Sequence, residues 1–343
     1  MKDKSMRVAV DAMGGDNAPR EIVKGAILAA QQFPDNEIIL VGDEKAIQLE
    51  LKSNNSSPKN IIVHHASEAV KMDDSATFSI RKKSNSSITQ CVELVAKHEA
   101  DSVVSAGHTG AVVAAATIHL RTLKGIRRPG IAITMPRQDG LCLIIDAGAN
   151  IACKPLHLFQ YAVMATVFSR EIYNIKNPRV GLLNIGEEDT KGNDLTKETF
   201  KLLSNSHINF IGNIEGREIF DNKADVVVCE GFVGNVILKF AQGLAMNLLS
   251  TIKEKALANF WTKIGLLLCK PAFMSLKAKM DFSEYGGVPL LGINGICIIC
   301  HGRSDSKAIK NAIRVALQST KSKVNEQIIS ELEKTDVLAT DTA

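Results

Sequence analysis

One pattern recurs along this chain: a short β-branched run, a polar loop containing glycine, then a segment with helical apolar spacing. It occurs in "MRVAVDAMGGDN", at 101–120 ("DSVVSAGHTGAVVAAATIHL"), at 141–165 ("LCLIIDAGANIACKPLHLFQYAVMA") and at 179–203 ("RVGLLNIGEEDTKGNDLTKETFKLL"). It returns at 224–245 ("ADVVVCEGFVGNVILKFAQGLA") and 296–317 ("ICIICHGRSDSKAIKNAIRVAL"). Strands alternating with helices build βαβ units, whose parallel strands are covered on both faces. One stretch departs from this: in "IAITMPRQDGLCLII", Asp139-Gly140 divides two apolar runs like a hairpin turn, so the sheet is expected to be mixed. The expected fold is α/β, with a mixed, mostly parallel sheet covered on both faces. Residues 1–335 read as one domain, 251–287 as a helical hairpin excursion within it and 336–343 as a frayed tail. Loops leaving the carboxyl ends of parallel strands line the ligand crevice. The polar loops are therefore expected to converge at one end of the sheet.

Composition narrows the function. A net charge of +4 and 5% aromatic residues lack the basic excess and stacking platforms of a nucleic-acid binder. Seven cysteines are scattered, and Cys297 and Cys300 have C-x-x-C spacing inside an apolar run with no second pair. Buried reduced thiols are expected and no metal. Met1 to Met6 is polar and charged, unlike a secretory signal, and no apolar run reaches the roughly 18–20 residues that span a bilayer. A reducing cytoplasm fits these features.

Several loops suit an anion. Gly107 and Gly110 surround a helix start, where unpaired N–H groups favour phosphate, and His108 and Thr109 can add donors. A tight turn with a Thr cap explains the same residues. Gly231 and Gly234 repeat the device before Asn235, which can cap a helix or donate to a ligand oxygen. In "NIGEEDTKGN", Lys191 is either solvated or a cation held near phosphate by carboxylates such as Glu187, with Gly192 and Asn193 following. "DAGAN" turns sharply from Asp146 to Asn150, and the following Leu156 to Val167 is apolar nearly all round and must be buried. In "VDAMGGDNAP", Gly14 and Gly15 allow close backbone approach to a substrate or a neighbouring loop. Asp11 and Asp16 orient a cation there, although Asp16 could simply cap the helix.

Together these segments resemble the phosphate acyltransferases of bacterial phospholipid synthesis, the PlsX family. The match runs through "VDAMGGDNAP", "SAGHTGA", "DAGAN", "LLNIGEEDTKGND", "CEGFVGNV" and "YGGVPLLGINGICIICHGRSDSKAIKNAI", in order over nearly the whole chain. The resemblance implies a Rossmann-like three-layer α/β/α sandwich, similar to phosphotransacetylases and isocitrate or isopropylmalate dehydrogenases. The implied reaction is acyl-acyl carrier protein plus inorganic phosphate giving acyl phosphate, which would feed a glycerol-3-phosphate acyltransferase. It implies a homodimer without cofactor, cytoplasmic and peripherally associated with the inner face of the cell membrane. Asn184 and His301 join the substrate-binding set on the same ground. The chain departs from the family at His108, where Asn is usual, and at Ala76, where Pro is frequent.

Phosphate is already a nucleophile, so the enzyme must position it and stabilise an oxyanion. Lys191 and Asn235 are the first candidates, with His108 third. A covalent route through Cys153 or Cys229 is the rival mechanism. An acidic carrier would dock on Arg81, Lys82 and Lys83, or on Lys124, Arg127 and Arg128. Trp261, Ile264, Leu266, Leu267 and Leu268, flanked by lysines, suit a lipid surface or a packed subunit contact. A phosphotransacetylase acting on acyl-CoA and a non-catalytic membrane scaffold are the alternatives. A nicotinamide enzyme is disfavoured because G-x-G-x-x-G is missing.

Overall fold

The computed structural model describes residues 5–54, 58–71, 74, 82–137, 139–274 and 282–335. The apolar runs form strands β1 (Arg7–Asp11), β2 (Glu37–Gly42), β3 (Ile61–His65), β4 (Ser102–Ser105), β5 (Gly130–Arg137) and β6 (Gly140–Ile145). They continue as β7 (Val180–Leu183), β8 (Phe210–Ile214), β9 (Val226–Val228), β10 (Val288–Leu291) and β11 (Ile296–Ile299). All join one sheet in the order β3-β2-β1-β4-β11-β10-β5-β6-β9-β7-β8.

Both faces of the sheet are covered, as the strand period of two requires. Val8 and Val10 join one apolar cluster and Ala9 the other; Leu143 and Ile145 part from Cys142 and Ile144 in the same way. The first face packs α1 (Arg20–Gln32), α5 (Pro155–Tyr173), α9 (Ser306–Lys321) and α10 (Val324–Glu333). The second packs α3 (Ser87–Ala96) and α4 (Thr109–His119). Helix α2 (Glu44–Ser53) starts at an Asp43 cap and α6 (Asp194–Ser204) at an Asn193 cap. The all-round apolar α5 is buried within the chain itself, and Phe159, Tyr161 and Phe168 are among its largest enclosed side chains. Truncating either Phe to Ala would cost about 3–5 kcal/mol. Cys297 and Cys300 belong to opposite apolar clusters, so the C-x-x-C spacing makes no pair.

The Asp139-Gly140 hairpin is present, with Arg137 facing Gly140 across antiparallel β5 and β6. Its consequence was not legible in the local pattern. Antiparallel junctions at β11–β10, β10–β5 and β5–β6 reverse half of the sheet. Strands β1, β4 and β11 run one way, while β6, β9 and β7 run the other. The polar loops therefore divide between two opposite edges and do not gather at one.

A buried ionic clasp joins the hairpin to the reversed half. Arg137 donates to Asp225 Oδ1 at 2.6 Å and to the Ala224 carbonyl. Arg179 donates through Nε to Asp225 Oδ2 at 2.9 Å. Burial raises the Asp225 carboxyl, but the bonds from Arg179 and Arg137 outweigh it and hold it at about 2, below its ordinary 3.8. Stability from a depressed carboxylate is present above the unfolded value and is lost as pH falls through the folded one. Asp225→Ala is expected to cost about 3–5 kcal/mol in urea unfolding at neutral pH, because Arg137 is left buried and unpaired. The deficit relative to the unsubstituted chain should shrink as pH falls from about 4 to about 2.

Candidate functional site

At the first edge, three loops lean on one another. A Cβ on Gly14 would lie 2.7 Å from the Gly107 nitrogen, and one on Gly15 would lie 3.0 Å from the Gly302 carbonyl oxygen. Gly15 also has φ +104°, which only glycine adopts without strain. The double glycine is thus accounted for by neighbouring loops. Asp16 does not cap α1; its backbone N–H donates to the Gly302 carbonyl at 2.7 Å, and Pro19 holds the cap position. Asp11 is buried and accepts from Ser105 Oγ at 2.7 Å. Burial pushes its carboxyl up against the opposing bonds from Ser87 and Ser105. His108, not Thr109, caps α4, accepting the Ala111 N–H through Nδ1 at 3.2 Å; Thr109 and Gly110 form the first turn. His301 accepts from the Arg303 N–H at 3.1 Å. A small pocket here is lined by Asp11, Gly14, Ser87, Ser105, Gly107 and His108.

The second edge carries the loops after β6, β7 and β9. Asp146 organises it: its carboxylate accepts from the N–H groups of Ile131, Gly148, Ala149 and Asn150 at 2.7–3.1 Å. Burial raises this carboxyl despite those bonds. Asn150 donates to the Pro129 carbonyl at 2.6 Å and to the Tyr161 hydroxyl at 2.8 Å. Both residues are thereby engaged in shaping the loop.

The long helix α7 (Gly231–Leu257) starts on this loop. A Cβ on Gly231 would lie 2.5 Å from the Asn150 carbonyl oxygen, and one on Gly234 would overlap the Asp146 carbonyl oxygen. The phosphate cradle expected at this helix start is already filled. Glu230 accepts from the Phe232 and Val233 N–H groups at 2.7 and 2.9 Å, while Gly231 N–H donates to Asn150. Glu230 also takes the cap that sequence reasoning offered to Asn235. Asn235 instead lies one turn in, beside Gly148, and its side-chain amide has no hydrogen bond among the described residues.

Strand β7 is parallel to β9 and next to it, so Lys191 and Asn235 share this edge. The carboxylates around Lys191 do not hold it. Glu187 pairs with Lys223 at 3.0 Å, and Asn184 fixes the Lys191 carbonyl at 3.1 Å. Gly192 follows with φ +93°, and Asn193 serves as the α6 cap. The exposed Lys191 ammonium has no ion pair among the described residues. Further cations stand at the same edge. His157 is pushed below its ordinary 6.5 by burial and then by Arg128, Lys154 and Arg127, and its Nδ1 accepts the Lys154 N–H. Lys82 and Lys83 lie beyond β3 on the first edge, where Lys83 pairs with Asp74 at 2.7 Å; Arg81 is outside the described residues.

The rival nucleophiles fare poorly. Burial raises the Cys153 thiol and pushes that of Cys229 well above 9, which disfavours the reactive thiolate. No cluster of three or more metal-ligating side chains occurs among the described residues.

The helical excursion begins earlier than expected, because α7 runs unbroken through Thr251. Only Gly231 and Gly234 of this helix are buried. By length and composition it is long and apolar enough to cross a membrane, which corrects the reading of the sequence. It packs against α8 (Phe260–Leu268), where Trp261, Leu267 and Leu268 are 69–78% exposed; Ile264 is also exposed and Leu266 half-buried.

The family model described as "Fatty acid synthesis protein" matches residues 6–327. A "Phosphate acyltransferase" of Pelotomaculum thermopropionicum is 50% identical over 333 residues, covering 97% of this chain and 96% of that protein. One of Geobacter sulfurreducens is 48% identical over 328 residues, covering 96% and 94%. Among solved structures, a phosphotransacetylase from Streptococcus pyogenes superposes with a TM-score of 0.66 at 18% identity, covering 93% of this chain and 94% of that one, which establishes the shared α/β fold.

The seating of α7 makes a stability prediction. Gly234→Ala forces a methyl group into the Asp146 carbonyl and should destabilise the chain by about 3 kcal/mol. Gly243→Ala, in the same helix with open space around it, should be neutral or stabilising by up to about 1 kcal/mol. Urea unfolding of the two variants checks the difference.

Proposed function

Because the chain belongs to the fatty acid synthesis protein family, we propose that it transfers a fatty acyl group from an acyl-acyl carrier protein to inorganic phosphate. The observation that carries this reading is the pair of unengaged donors on one edge, the Lys191 ammonium and the Asn235 amide. A phosphate oxygen attacks the thioester carbonyl carbon. The resulting tetrahedral oxyanion collapses, the C–S bond breaks, and the carrier thiolate leaves and takes a proton. Lys191 offsets charge on phosphate, and Asn235 donates to phosphate or to the oxyanion. No protein nucleophile is needed, in keeping with the raised thiols of Cys153 and Cys229. Lys191→Ala and Asn235→Ala should each lower kcat by about 10²–10³-fold with unfolding unchanged. Purified chain, long-chain acyl-carrier protein and phosphate, with hydroxylamine trapping of acyl phosphate, measures this. Turnover with CoA thioesters but not with the carrier would favour the phosphotransacetylase reading.

The acidic carrier docks where its thioester arm reaches Lys191 and Asn235. That favours Arg127, Arg128 and Lys154 on this edge over Lys82 and Lys83 on the other. Arg127→Glu with Arg128→Glu should raise KM for the carrier at least about tenfold and lessen its dependence on salt. Lys82→Glu with Lys83→Glu should leave KM near the unsubstituted value.

The arm of α7 and α8 lies on the membrane surface. Although its length would allow a span, Lys239 and Lys253 flank its apolar middle, and a charge held deep in the bilayer is costly, which favours an arm lying in the interface. Exposed Phe232, Val236 and Phe240 near its base offer apolar area to a second copy in a homodimer. Leu267→Glu with Leu268→Glu should abolish flotation with anionic liposomes while carrier-dependent turnover in solution persists.

A further inference from the structure

We propose that Asn213, a residue no sequence motif singles out, is a positioning residue for Lys191. The inference rests on the reading of Lys191 as the cation that meets phosphate. Its origin is an irregularity in the edge strand. Val180 of β7 faces Phe210 of β8, but Leu182 faces Asn213, so β8 carries one extra residue. The extra residue falls at Ile211–Gly212, and Gly212 has φ +95° in open space. The packing records the slip: Ile211 and Ile214 touch the same apolar cluster although three residues apart, which a regular strand forbids. A bulge re-aims the side chain that follows it.

Here that side chain is Asn213, which is 3% exposed and donates through Nδ2 to the Glu188 carbonyl at 2.8 Å. The same carbonyl accepts the Lys191 N–H at 3.1 Å. One oxygen thus ties the sheet's edge strand to the turn that presents Lys191. Asn184 grips the turn at its other end, through the Lys191 carbonyl. Asn213 Oδ1 is buried without a hydrogen-bond partner among the described residues. A buried, half-satisfied amide is a poor core residue, and an apolar side chain of similar shape would serve stability as well or better. Its anchoring of the Lys191 turn gives it a reason to be there.

The test is a double-mutant cycle in the full-length chain, assayed with acyl-carrier protein and inorganic phosphate. Asn213→Leu removes the donor and the unsatisfied acceptor together, and its urea midpoint should stay near that of the unsubstituted chain. It should lower kcat about 10- to 100-fold, as misplacement of a reacting group does. In a Lys191→Ala background the same change should cost less than about twofold, because the group it positions is gone. Asn213→Ser, which keeps a hydroxyl donor, should recover part of the loss. Equal losses in both backgrounds, or unchanged kcat in Asn213→Leu, would overturn the positioning role. Full activity in Lys191→Ala alone would instead refute the reading of Lys191, and the inference with it. If Asn213→Leu does not fold, Asn213→Asp, which sets an acceptor against the Glu188 carbonyl, carries the same comparison.

Discussion

The first turn of α7 lies against the Asp146 carbonyl with no room for a side chain between them. That contact sets the second edge of the sheet. It seats Asn235 beside Gly148, and it launches from the same point the helix on which Phe240, Met246 and Leu248 stand exposed. It holds because Asp146 gathers four backbone N–H groups and stiffens the loop on which α7 rests. A buried carboxylate satisfied in this way is a structural anchor, and its hydrogen bonds offset the cost of its burial.

Much of the polarity at the two edges is consumed by architecture. Asn193, His108 and Glu230 cap helices, Asn150 braces a loop, and Glu187 is drawn off by Lys223. Groups already bonded to the protein have little left to offer a ligand without breaking something. Lys191 and Asn235 stand out by contrast, as donors left open on a rigid frame. Preorganised, unengaged donors are what stabilise charge that develops in a transition state.

The residues that sequence reasoning placed well are those whose role is local. Asp139-Gly140 turns a hairpin, and the all-round apolar Leu156 to Val167 lies in a buried helix, each decided within a short span of the chain. Asn213 lay hidden because nothing within "FIGNI" marks a bulge. The bulge shows only when β8 is laid against β7. Lys154 escaped notice as a partner of Arg127 and Arg128 because nearly thirty residues separate it from them. Thr251 looked like a boundary because polar residues dilute the apolar run there, yet the helix continues through it.

The sequence by itself determined the alternation of strand and helix, the doubly covered sheet and the glycines at loop ends, since periodicity and turn chemistry act over short spans. Tertiary structure alone decided that the loops part to two edges and which side chains remain unbonded. Strand direction across a sheet is settled by pairings between distant segments, and a donor is open or occupied according to what the whole fold brings beside it.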